Sequence, residues 1–170
     1  MSKRLLIGAA LLCCVATAAP ATPMMSLSRT DRAFLPQAAM GNTFEIKAAQ
    51  IAERKVAGRG VHTFAARMIR DHTALGANVM AAVHRISPAM MLPMGVSAAQ
   101  QRMLDALTRA GRNFDALYRA DMVQSHAQTY ALFQTYARSR YASAGIRQVI
   151  RGALPTVKMH WTMAEGLPRM

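Results

Sequence analysis

Cysteine is almost missing from this chain of 170 residues: there are two, Cys13 and Cys14, side by side near the start. The body of the protein therefore has no disulfide framework, and its stability has to come from packing. Acidic residues are scarce as well, 8 Asp and Glu against 21 Lys and Arg, for a formal net charge of +13. No stretch beyond the first residues approaches the ~20 continuous apolar residues of a membrane helix. The sequence also lacks a P-loop, a nucleophile elbow, an HExxH and a CxxC. Ser125, His126 and Asp121, strung along one segment, do not amount to a catalytic triad, so nothing supports an enzyme of these kinds.

The apolar run that does occur is short. Lys3 and Arg4 precede Leu5 to Val15, and Ala16-Thr17-Ala18 follows, the layout of a secretory signal with its small-residue cleavage site. The expectation is a leader over 1–18, an extended tether over 19–30 holding Pro20 and Pro23, and one helical domain over 31–166, exported to the periplasm or cell envelope. Cleavage near Ala18 removes both cysteines and, with Lys3 and Arg4, takes the formal net charge from +13 to +11. Lipidation of Cys14 is the other reading, but Leu12 and Cys13 stand where small residues are wanted. For a secreted chain with singly scattered arginines, anionic envelope lipid, lipopolysaccharide or cell-wall polymer is a better partner than nucleic acid. A solvated cationic surface without a partner fits the same charge.

Apolar residues recur at three- and four-residue spacing, with no competing alternation, so the chain reads as all-α. The first long helix is expected over Asp31 to Val56, with Phe34, Ala38, Asn42, Glu45, Ala49 and Ala52 facing inward. The stretch "AGRG" (57–60) reads as a connection, and a second helix follows over Val61 to Ile86, its stripe formed by Val61, Phe64, Met68, His72, Leu75, Val79 and Val83. After a loop over 87–97, Ser97 and Gln100 form a capping box for a short helix. A third long helix over Arg112 to Arg138 carries Tyr118, Met122, His126, Thr129, Phe133 and Tyr136. The last, from Ile146, carries Val149, Ala153, Val157, His160 and Ala164, with a kink at Pro155. Four long amphipathic helices with short or moderate links make an antiparallel four-helix bundle with an additional short helix before the third long one.

In such a bundle Glu45, His72 and His126 fall near the middles of their helices, and His160 lies about one turn, ~5 Å, away. Each is a costly polar group on an otherwise apolar line and needs a partner, water or metal. A carboxylate with neutral imidazoles suits one transition metal ion such as zinc, copper or iron, and Asp71 and Asp121 are placed to accept imidazole N–H groups. A purely structural cluster, in which Glu45 pairs with the histidines and fixes helix register, meets the same requirement. Methionine is abundant, 14 in all; Met68, Met122 and Met163 read as core filler, whereas Met90, Met91 and Met94 gather in the proline-containing loop and offer thioethers to Cu(I). Met24 and Met25 read as tail residues, and His62 and His84 as surface or interfacial histidines.

Four phrases stand out in order: "QAAMGNTFEIKAAQIA" (37–52), "FAARMIRDHTALGANV" (64–79), "NFDALYRADMVQSHAQTYALF" (113–133) and "LPTVKMHWTMA" (154–164). Together they resemble the bacterial domain-of-unknown-function 4142 family, whose members are often labelled outer membrane proteins and look like relatives of the ferritin-like bundles. The resemblance implies a ferritin-like, envelope-located helical domain without an assigned reaction. It marks Glu45, Asp71-His72, Phe114-Asp115, Tyr118, His126, Leu154-Pro155 and His160 as positions that match the family pattern. No Glu lies three residues before His72, His126 or His160, so the paired Glu-x-x-His of diiron bundles is missing and a mononuclear site is the better chemical fit.

Overall fold

The computed structural model describes residues 26–55 and 57–168. The expected leader with Cys13 and Cys14, residues 19–25 of the expected tether, and Val56 lie outside the described residues. Among the described residues there are five helices and no strand: α1 (Arg29–Arg54), α2 (Arg59–His84), α3 (Ala98–Arg109), α4 (Phe114–Arg138) and α5 (Ala144–Glu165). None is long and apolar enough to cross a membrane.

Helix α1 begins two residues ahead of its expected start. Ser28 is the cap: its hydroxyl accepts the Asp31 N–H at 3.0 Å, and the Asp31 carboxylate accepts the Ser28 N–H at 2.8 Å. The reciprocal pair satisfies two amides that have no partner within the helix. A tether running to residue 30 therefore overshoots, and Leu27 is already buried. Pro36 is accommodated within α1.

The link to α2 is also shorter than expected, because Arg59 and Gly60 are helical. Gly58 is the cap residue, and its N–H donates to Asp115 Oδ2 at 2.9 Å. A Cβ at position 58 would sit 3.0 Å from that oxygen, so glycine is what permits the approach. At the same end of the molecule Lys55 donates to the carbonyls of Thr108 (2.6 Å) and Ala110 (2.9 Å), satisfying acceptors at the end of α3. The Ser97–Gln100 box opens α3 as the sequence indicates, with bonds of 3.2 and 2.9 Å. Ser97→Ala is expected to cost about 1 kcal/mol, measured as a small fall in the urea midpoint.

In α5 the deepest line is Ile146, Ile150, Val157, His160 and Ala164. The expected Val149 and Ala153 are half-buried, one residue out of phase in the first half of the helix. Pro155 lies within α5, on its exposed side, and the helix runs through it. A step of seven from Ile150 to Val157 spans that proline, and reading backwards in fours lands on the wrong residues.

Helix α1 packs on α2 and α4, and α5 packs on the same two, while α3 lies against α1 and α4. The apolar interior divides into two clusters. One holds Phe44, Ala48, Val61, Phe64, Met68, Leu107, Tyr118 and Met122; the other holds Phe34, Leu35, Val79, Val83, Phe133, Tyr136, Ile146 and Ile150. Helices α2 and α4 run from the first cluster to the second, α1 and α5 the opposite way, so each of the four packed pairs of long helices is antiparallel. Between the clusters lies a buried polar layer drawn from all four: Glu45, His72, His126 and His160.

Candidate metal centre

Each member of the layer occupies a place where its helix would otherwise carry an apolar side chain. His72 stands one turn after Met68, His126 one turn after Met122, and His160 three residues after Val157. All three are at most 2% exposed, and Glu45 is fully buried. The ring centroids form a nearly equilateral triangle with sides of 5.3, 5.6 and 5.7 Å. One nitrogen from each ring lies within 4.8 Å of the corresponding nitrogen of the other two.

What surrounds the rings fixes which nitrogen faces inward. His126 Nδ1 lies 2.7 Å from the Met122 carbonyl, which can only accept, so Nδ1 carries the proton and Nε2 keeps a lone pair. That Nε2 is buried without a hydrogen bond. His160 Nε2 is 2.9 Å from Asp71 Oδ2 and donates to it. His72 Nδ1 is 3.1 Å from Asn42 Oδ1, again an acceptor. The remaining nitrogens, His160 Nδ1 and His72 Nε2, face each other at 3.3 Å. With both protons committed outward, two lone pairs meet across that gap.

Glu45 stands on the other edge of two of these rings, with Oε2 3.1 Å from His72 Nδ1 and Oε1 3.8 Å from His126 Nδ1. Ser125 donates to Oε1 at 2.7 Å. Because His72 Nδ1–H is aimed at Asn42, Oε2 is left without a hydrogen bond despite the short distance. Burial pushes the Glu45 carboxyl up, but His126, His72 and the Ser125 bond outweigh it and hold the group below its ordinary range. Burial pushes His72 down to about 4 against the pull of Glu45, and His126 and His160 add to the fall. His160 is lowered as well, by burial, with the Asp71 bond opposing. Asp71 is raised by burial but lowered more by its bond from His160 and by Arg70, which donates at 3.0 Å.

Asp71 thus touches the cluster from outside through His160. Asp121 does not: among the described residues no hydrogen bond joins it to an imidazole, its Oδ2 is unpartnered, and burial raises its carboxyl to about 6. Asn42 and Ser125 are members that the metal-ligand pattern passed over. Asn42 was legible as a polar residue on an inward line, whereas Ser125 had only its adjacency to His126. The loop methionines part company: Met90 packs on the second apolar cluster, while Met91 and Met94 are exposed. His62 is half-buried and His84 exposed.

Fold and site together define an all-helical protein with a buried triad of histidines between two apolar clusters. A family model described as Domain of unknown function (DUF4142) matches residues 15–167, nearly the whole chain, and the protein belongs to that family. No curated protein and no solved structure matches it.

Proposed function

We propose that this protein is a ferritin-like, antiparallel four-helix bundle of the cell envelope that holds one transition-metal ion on His72, His126 and His160. The observation that carries the reading is the inward set of lone pairs. Three imidazoles each commit a proton to an outer acceptor, and their free nitrogens are left close together without protons of their own. Tetrahedral binding at 2.0–2.1 Å places ligand nitrogens about 3.3 Å apart, and His72 Nε2 and His160 Nδ1 already have that spacing. Asn42, Asp71 and the Met122 carbonyl orient the rings as outer acceptors do around imidazole ligands.

Charge supports the same reading. A buried carboxylate at Glu45 calls for a positive neighbour, while burial works against a proton on His72. A cation held by neutral imidazoles meets both demands. Three neutral nitrogens suit zinc or copper better than iron, with Glu45 as the compensating charge beside the rings and a fourth position left for an outside ligand. Among the described residues only one carboxylate, Glu45, is fully buried at the layer, which disfavours a dinuclear centre.

The envelope part of the proposal rests on the leader pattern over 1–18, and a mature N-terminus near Ala19 in the periplasmic fraction is its expected mark. The formal net charge of +11 that remains once Lys3 and Arg4 are removed from the +13 of the full chain supports an accompanying role in contact with anionic lipid or wall polymer, read as salt-sensitive retention on anionic vesicles.

Protein purified from its native envelope is expected to carry about one metal per chain. After chelation, Zn²⁺ or Cu²⁺ at 100 to 1,000 times its Kd should raise the unfolding free energy by ~2.7–4.1 kcal/mol. His126→Ala should abolish most of that gain. Metal-free native protein that gains no stability from either ion overturns the proposal.

A further inference from the structure

A second feature meets the polar layer from the side of α1, α2 and the 87–97 loop. There a cleft of ≈ 250 Å³ descends between walls that include Leu75, Val79, Leu92 and Phe133, with Asn42, Glu45, His72 and Thr129 also lining it. Ala38, Ala39 and Gly76 keep it open; a Cβ at 76 would come within 3.0 Å of Asn42 Nδ2. Met94, 85% exposed, stands at its edge. The cleft is distinct from the inward face of the histidine triad, because Glu45 lies on the Nδ1 edge of His72.

We propose that this cleft binds a small amphiphile with a protonated amine head and an unbranched apolar chain, the head docking on Glu45. Three observations converge on that class. Glu45 is fully buried, its Oε1 is engaged by Ser125, and its Oε2 is an acceptor without a bond. Such an atom calls for a donor, and the carboxylate selects a cationic head over a carboxylate or a neutral alcohol. The walls offer a tail apolar contact and, besides Glu45, no carboxylate for a second charge, which selects a monoamine over a diamine. A cavity of about 150 Å³ accommodates benzene, so this volume suits a chain of roughly six to eight carbons.

The amine site is read on the metal-free protein, where no cation sits beside Glu45, so its outcome and that of the metal reading can be told apart. The full chain is titrated calorimetrically, after chelation, with octylamine, octanol, octanoate and 1,8-diaminooctane. Octylamine should bind at one site per chain, roughly tenfold or more tighter than octanol, the scale of one hydrogen bond to a charged group. Octanoate and the diamine should both fall behind it. Non-specific adsorption to so basic a chain would favour octanoate, so the order of head groups is itself decisive. Glu45→Gln should bring octylamine to the level of octanol, and Ala38→Trp should suppress both by filling the cleft. His126→Ala should lose the metal response and keep the amine. Equal affinity for amine and alcohol, or octylamine binding that survives Glu45→Gln, overturns the proposal.

Discussion

Replacing Phe64 with alanine is expected to lower the unfolding free energy by about 3–5 kcal/mol, a large part of the 5–15 kcal/mol typical of a domain. Phe64 is 1% exposed and belongs to the first apolar cluster, immediately below the polar layer. Its ring lies 6.1 Å from that of Tyr118, 6.3 Å from His126 and 6.4 Å from His160, edge-on to the last. Truncation therefore removes apolar burial and leaves a hole against two imidazoles. Urea unfolding should show a lower midpoint at unchanged slope, and Phe64→Leu should recover about half of the loss or more, since it refills most of the volume. A loss below about 1 kcal/mol for the alanine variant would mean that the surrounding helices close the gap, contrary to the packing described.

The polar layer depends on both apolar clusters, and this explains what could be read in advance. Helical phase puts Glu45, His72, His126 and His160 inside, and all four are buried although α4 is only weakly amphipathic and the inward line of α5 slips in its first half. Ring orientation is a different matter. Whether His160 turns Nδ1 or Nε2 inward depends on Asp71 and His72 meeting it from α2, and no spacing within α5 contains that. Asp121 illustrates the converse: adjacency in sequence to a candidate cluster does not bring its carboxylate to a ring, since it leaves α4 at another angle from His126. The start of α1 lies ahead of Asp31 because Asp31 is the third helical residue in a reciprocal box whose cap is Ser28. The phase slip in α5 arose where Pro155 interrupts the regular spacing of large apolar residues. The unbonded Oε2 of Glu45 and the cleft beside it belong to the packing of several elements and had no linear signal.

Asp31→Ala should cost about 2–4 kcal/mol near neutral pH, because Asp31 joins the start of α1, the end of α4 and the start of α5, and its removal leaves several donors unpaired. Its Oδ1 accepts from the Tyr136 hydroxyl at 2.6 Å and from the Ser143 N–H at 3.0 Å, and its Oδ2 accepts from the Ser28 N–H and the Ser143 hydroxyl. Burial pushes this carboxyl up, but the bonds from Ser143, Tyr136 and Ser28 outweigh it and hold it below its ordinary value. A folded-state pKa below the unfolded one means that protons bind preferentially to the unfolded chain. The stability from Asp31 is thus fully present above the unfolded pKa of about 3.9 and is lost as pH falls through the folded value. Glu45 and Asp71 are shifted in the same direction, so the wild-type profile alone does not isolate Asp31. The difference between wild type and Asp31→Asn does: it should be constant above about pH 5 and shrink steadily below about pH 4. Asparagine keeps the shape but accepts through one oxygen only, so Asp31→Asn should cost less than alanine at pH 7. A difference that stays level through the acid range would place the stabilising effect of Asp31 in its shape rather than its charge.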